Sequence, residues 1–376
     1  MLSLIKKKIV KIIYLKSIVI KKSPIQLIFI PTKIKSSIDR IYNTTDGLIF
    51  SFFLKNYFTF NLRPKKSENV ITKSRNLQNK KISIILQGPI EIIDNFTYET
   101  VLLYLKLFPN TDIILSTWKI DSIKLKSKFK NLLEYNKNFH LIENLPPKKT
   151  GFKNINLQIL TTKNAIKLAK ELKCEFVLKT RTDFRIYKDN LSDFFINLLS
   201  TFRTKNNIGN QKFRIISLNL ITAKYRLYSI GDILLFGHID DISKYWDIDY
   251  YDKEIKKFNN IENGMIKNTP ITGEVFLCTN YLLKIGIKLK WNLSDYWEIC
   301  RDHFCIIDND MIDGFWFKYN YMADKQYLKN YSLVNRRCID FSDWLNLQNN
   351  LNVNIYDNQN LERYKKVGND FKRIIK

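Results

Sequence analysis

The sequence predicts an α/β protein: a mainly parallel central sheet flanked by helices, preceded by a basic N-terminal extension. Three observations predict it. Short apolar runs ending in polar clusters recur between residues 81 and 240, and stretches with helical periodicity stand between them. Strands that alternate with helices in this way make βαβ units. The third observation is the stretch 175–185, Glu-Phe-Val-Leu-Lys-Thr-Arg-Thr-Asp-Phe-Arg, where an apolar run empties into cations, hydroxyls and one carboxylate. In an open α/β sheet, ligands bind beyond the carboxyl ends of the strands.

Taken in order, Ile82–Leu86 reads as the first strand, closed by the turn Gln87-Gly88-Pro89-Ile90. Residues 96–108 read as a helix, 112–115 as a strand ending in Ser116-Thr117-Trp118, and 139–142 as a third strand. Ile155, Ile159, Thr162, Ile166, Ala169 and Leu172 recur at four- and three-residue steps, which predicts a helix over 155–172. The strand 175–179 follows, then strands over 214–220 and 233–237. A further helix over 272–286 has Thr272 as N-cap and Gly286 at its stop, with Glu274 in the first turn, where the helix dipole favours a carboxylate.

The division is an extension and linker over 1–79, a main domain over 80–325 and a C-terminal extension over 326–376. With 376 residues, 45% of them hydrophobic and 14% aromatic, the chain buries a sizeable core, which excludes global disorder. The net charge of +26 is uneven: residues 1–80 hold 17 Lys and Arg against 3 Asp and Glu. Elsewhere lysines are scattered, and no zinc finger, helix-turn-helix or RNA-binding aromatic motif is visible, so no nucleic-acid partner is expected. The basic, apolar start points instead to peripheral contact with an anionic membrane, with a small packed extension as the alternative. Five cysteines with no CxxC pair fit reduced thiols, and three histidines without ligand spacing argue against zinc. No stretch approaches the roughly 18–20 apolar residues of a membrane span. The expected compartment is the cytoplasm, at the inner face of its membrane.

Candidate site residues cluster at strand ends. Gln87, Gly88 and Pro89 form the rim after the first strand, with Thr117 on the next; Gly88 permits close backbone approach to a ligand or serves a tight turn. Asn154, Asn156 and Gln158 open a helix, to bond hydroxyls or to cap it. Lys179, Thr180, Arg181, Thr182, Asp183 and Arg185 suit phosphate oxygens, guanidinium being a bidentate fork, or form a polar loop. His238 and His303 read as packed residues or late metal ligands, and aromatics including Tyr228, Trp246, Tyr296 and Trp297 as core or as stacking faces.

The ordered set Ile82–Ile90, Ile113–Trp118, Gly151–Gln158, Leu178–Asp183, Tyr228–Asp232, Phe236–Asp241 and Trp297–Asp302 resembles the WavE lipopolysaccharide synthesis family over about residues 81–320. The resemblance implies a GT-A-like, Rossmann-like nucleotide-binding sheet and a glycosyltransferase. Its partners would be a nucleotide-sugar donor and a glycan or lipid-linked glycan acceptor. Such enzymes carry Asp-x-Asp, binding Mn²⁺ or Mg²⁺ on the donor diphosphate, where this chain has Arg181-Thr182-Asp183. Asp183 is then the one carboxylate for a cation, or Arg181 and Arg185 neutralise the diphosphate themselves. For a base that takes the acceptor proton, Glu274 is the first candidate, Asp240 and Asp241 the next and Asp302 the third. The alternatives are a nucleotidyltransferase, whose glycine-rich phosphate loop Gln87–Ile90 lacks, and a non-catalytic basic scaffold.

Overall fold

Ile82-Ser83-Ile84-Ile85-Leu86-Gln87 is buried at all six positions, as a strand covered on both faces must be, and forms β1 (Ile82–Gln87). In this computed structural model the described residues are 63–72, 80–120, 123–204, 209–252, 272–317 and 338–349. Apart from Arg63 they belong to one compact unit, Pro64–Lys376. The other expected strands form β2 (Asp112–Trp118), β3 (Phe139–Asn144), β4 (Phe176–Arg181), β6 (Ile215–Leu218) and β7 (Leu235–His238). With the unforeseen β8 (Phe304–Ile307) they make one sheet in the order β3-β2-β1-β4-β7-β6-β8.

The sheet is mainly parallel, as expected. β7 alone is reversed, pairing antiparallel with β4 and with β6, while β6 and β8 are parallel. This reversal decides which loops meet at the functional edge. A second, two-stranded sheet pairs β5 (Phe184–Ile186) with β9 (Gly314–Trp316) and brings Trp316 opposite Phe184.

The three expected helices are α1 (Phe96–Leu107), α3 (Ile155–Glu171) and α6 (Gly273–Lys284), and Thr272 caps α6 by accepting from the Val275 amide. Between them lie α2 (Ile123–Tyr135), α4 (Leu191–Thr201), α5 (Ile239–Trp246) and, after α6, α7 (Leu293–His303). In the stretch read as a C-terminal extension, α8 (Phe341–Gln348) packs into the core: Trp344 is fully buried and donates to the carbonyls of Cys300 and Phe304 at 3.0 and 2.8 Å. Residues 64–70, read as linker, are also docked. Pro64 and Lys65 carbonyls accept from Tyr187 and Arg185, and Val70 joins the core. The basic segment 1–62, with its expected membrane contact, lies outside the described residues. Among the described residues no helix is long and apolar enough to cross a membrane.

Candidate active site

Two helix N-termini and three strand ends converge on a cavity of about 150 Å³. Lys153, Ile155 and Gln158 come from the entry to α3, Arg181 from the end of β4, and Glu274 from the first turn of α6. Asp232 enters from the loop before β7, and because β7 is reversed its start lies at the carboxyl edge of β4. The two helices touch at their first turns, where a Cβ on Gly273 would stand 3.3 Å from Ile155 Cδ1. The cavity thus holds two cations, two carboxylates and the positive ends of two helix dipoles.

Arg181 is held in place by the residue two positions on. Its Nε and Nη2 donate to Asp183 Oδ1 and Oδ2 at 2.8 and 3.0 Å, and its guanidinium lies 5.6 Å from the Trp316 ring centre. Trp316 lines the same cavity. Gln158 Oε1 is buried and accepts no hydrogen bond. An orphaned polar atom on a cavity wall marks a place for a ligand donor.

The carboxylate side rests on a buried lysine. Lys179 is fully buried, donates from Nζ to the Asp232 carbonyl at 2.6 Å, and lies 4.6 Å from the Trp246 ring centre. Burial lowers its ammonium to about 8, the Asp232 charge opposing that shift. Ser217 donates to the adjacent Gly231 carbonyl at 2.8 Å, so consecutive carbonyls are fixed from below. The preceding loop is strained: Ile221, on the cavity wall, and Tyr228 hold φ of +61° and +56°, rare for side-chain-bearing residues. Beside Asp232, Glu274 has its carboxyl raised, first by burial and then by the Asp232 charge, with the Thr272 side chain and Arg226 opposing.

The remaining expected residues divide by location. Gln87, Thr180 and Thr182 are buried at the strand ends, and Gln87 Oε1 and Thr180 Oγ1 have no hydrogen-bond partner. Thr182 Oγ1 donates to the Pro89 carbonyl at 2.6 Å. Gly88 has φ of +127°, and a Cβ there would stand 2.9 Å from Thr182 Oγ1. Gly88→Ala should therefore destabilise by about 1–3 kcal/mol, read as a lower melting temperature. Thr117 is buried, and Asn154 is exposed at the left-handed N-cap of α3 without a side-chain cap bond. Asn156 braces a loop, donating to the carbonyls of Lys149 and Tyr251 and accepting from the Tyr251 amide.

Four residues stand apart from the cavity. Arg185 turns inward, donating to Thr100 Oγ1, Tyr187 Oη and the carbonyls of Lys65 and Phe96, and so clamps α1 rather than facing the cavity. Asp240 and Asp241 follow the reversed β7, which puts them at the amino edge of β4, where His238 pairs with Phe176. There Asp240 pairs with Lys212 at 2.7 Å and Asp241 accepts the amides of Lys212 and Phe213. Asp302 precedes β8, at the same far edge, and pairs with Arg301 at 2.8 Å. His238 caps α5, and His303 Nδ1 donates to Gln211 Oε1 at 2.7 Å. Tyr228, Trp246 and Tyr296 are core.

Lys153, Ile221 and Trp316 were not foreseen. Nothing local in the sequence announces Trp316, since only the β5–β9 pairing brings it to Arg181. Lys153 stood within the Gly151–Gln158 motif and was the residue a phosphate argument needed.

The chain matches the family model described as WavE lipopolysaccharide synthesis over residues 82–376, past the end of the stretch that resembled it by motif. Among curated proteins none matches. Similar solved structures include a glycosyltransferase involved in glycosylation of the major capsid of PBCV-1, at 14% identity, 44% of this chain, 65% of that one and a TM-score of 0.26. An active-site mutant of LgtC shares 13% identity over 43% of this chain and 59% of its own, TM-score 0.27. GlyE of Streptococcus pneumoniae TIGR4 shares 12% over 77% and 60%, TM-score 0.33. The chain spans less than two thirds of the length of each of these three structures. On the family match, which covers well over half of its residues, this chain belongs to the WavE lipopolysaccharide synthesis family.

Proposed function

We propose that this chain is a glycosyltransferase that moves a sugar from a nucleotide-sugar donor to a lipopolysaccharide or related surface-glycan acceptor. The observation that carries the reading is the charge layout of one cavity, with Lys153 and Arg181 set against Asp232 and Glu274. In the transfer, the bond between the anomeric carbon and the diphosphate oxygen breaks, its electron pair leaving with the nucleotide. Arg181, Lys153 and the amino ends of α3 and α6 stabilise that developing charge. The acceptor oxygen bonds the anomeric carbon, and its proton goes to the Glu274 carboxylate, whose raised affinity for protons suits a base. The Asp232 side chain faces the transferred sugar, and Gln158 Oε1 accepts from a sugar hydroxyl. Cys174, Cys278, Cys300 and Cys305 are buried thiols outside any disulfide, which supports work on the cytoplasmic side of the membrane.

The divalent cation implied by the family resemblance does not fit at Asp183. Both carboxylate oxygens accept from Arg181, and Asp183 does not line the cavity. The pairing makes Asp183 a positioning residue for Arg181, and no step is routed through a cation.

Thermal-shift measurements with UDP-, GDP-, CMP- and dTDP-sugars, each with and without Mn²⁺, test the reading. Stabilisation by one nucleotide class without Mn²⁺ is expected, as is at least a tenfold weaker response in Arg181→Ala, the loss of one bidentate phosphate contact. Folded protein that responds to no donor would overturn the reading.

A further inference from the structure

We propose that the edge of the sheet beside the cavity docks on an anionic membrane surface, through four exposed aliphatic side chains set among lysines. Ile92 and Ile93 are 62% and 60% exposed, Ile123 is 87% and Leu145 is 74%. They belong to the segments that follow β1, β2 and β3, which are adjacent in the sheet. Neighbouring strands lie about 5 Å apart, so the three strand ends from which these segments leave lie within roughly 10 Å of one another.

The three segments are fastened to one another. Lys128 Nζ donates to Asn95 Oδ1 at 3.0 Å, joining α2 to the turn after β1. The Lys119 amide donates to the Asn144 carbonyl at 3.2 Å, and the Ile120 amide to Glu143 Oε1 at 2.7 Å, joining the ends of β2 and β3. The segments that carry the aliphatic groups are therefore held to one another at one edge of the sheet.

Its charge selects the partner. Lys119, Lys124, Lys126, Lys148 and Lys149 are exposed in the same segments. Of the described acids beside them, Asp94 pairs with Lys65 at 2.7 Å, Glu91 accepts the Ile93 amide, and Glu143 accepts the Ile120 amide and pairs with Lys126 at 3.9 Å. Lysine is depleted at protein–protein interfaces, whereas aliphatics that enter the acyl boundary under a ring of lysines match an anionic lipid surface. Leu145 and Lys153 also lie on one connection, between β3 and α3. If the glycosyl-transfer reading holds, a lipid-anchored acceptor on this face would present its glycan to the cavity; the docking itself does not depend on that reading.

The test is co-sedimentation of the full chain with vesicles containing phosphatidylglycerol, and with vesicles of phosphatidylcholine alone. Wild type should partition to the anionic vesicles only. Ile92→Ser/Ile93→Ser/Ile123→Ser/Leu145→Ser should lose at least about tenfold in partitioning, and Lys124→Gln/Lys148→Gln/Lys149→Gln should lose most of the salt dependence. Should the four-site variant melt early, Ile123→Ser and Leu145→Ser are read singly, each at an exposed position. Equal partitioning of wild type and variant would overturn the proposal, by locating any lipid binding elsewhere in the chain. So would no binding by wild type, or a wild-type dimer that the four substitutions break, which would make the patch a contact between copies. None of these readouts uses transferase activity, so a failure here is separable from a failure of the catalytic reading.

Discussion

Glu274→Gln should lower kcat by about 10²–10⁴-fold, the range expected when a positioned general base is removed. The substitution keeps shape and an acceptor oxygen, so the cavity should survive. Its pH signature is as informative as its size. Burial and the Asp232 charge raise the Glu274 carboxyl, so the base form is populated only above that raised value. Activity should therefore fall as pH drops through it, along an acid limb above the ordinary glutamate value of about 4.3. Asp232→Asn removes the neighbouring charge and should move that limb to lower pH. The stability sign is opposite. Native Glu274 holds its proton more tightly than the unfolded chain does, so its contribution is fully present below the unfolded value and is lost as pH rises through the folded one. Glu274→Gln should accordingly match wild type in melting temperature at low pH and equal or exceed it near neutrality. A glutamine variant with full activity and an unchanged acid limb would remove Glu274 from the reaction.

The apolar runs and the helical periodicity were enough to find six of the seven strands of the main sheet, since inner strands such as β1 and β2 are buried on both faces and read as apolar runs, and only β3 is a half-exposed edge among the six. Strand direction was not legible. β6 and β7 are four residues each, and the connection between β6 and β7 carries no hairpin signal that would announce an antiparallel pair. That single reversal moved Asp240 and Asp241 to the far edge and brought Asp232 to the cavity. Asp302 was misplaced for a related reason: β8 was unseen, so nothing showed that Asp302 precedes a strand. Arg181 and Arg185 lie on opposite sides of a turn, and only the packing of α1 draws Arg185 inward. Glu274 was legible because a cap, an apolar face and a terminal glycine together fix a helix start.

Asp343→Ala should destabilise the fold by about 3–5 kcal/mol, a fall of roughly 10 °C in melting temperature. Lys224 and Asp343 are both buried and pair at 2.6 Å. They fasten the start of α8 to the strained loop that carries Ile221 and Asp232, beside the Ala223–Cys338 bridge and the hydrogen bond from the Ile339 amide to the Thr222 carbonyl. Alanine would leave the Lys224 ammonium buried without its counter-charge. Replacing both partners is expected to cost far less than removing one. Burial outweighs the Lys224 charge and leaves the Asp343 carboxyl above its ordinary value. Lys224→Met/Asp343→Leu, which leaves no buried charge unpaired, should melt near wild type, far above either single variant. Lys224→Met alone has an escape on the acid side, because the carboxyl can take up a proton, whereas the Lys224 ammonium left by Asp343→Ala is relieved only by giving one up as pH rises. Its destabilisation should shrink at low pH, where Asp343 is neutral. Activity supplies the link to the cavity: below its melting point, Asp343→Ala should transfer more slowly than the double variant, since the unbraced loop no longer holds Asp232. A single variant melting within about 3 °C of wild type would show that water or another group compensates the buried charge, and would dissolve the link between α8 and the cavity.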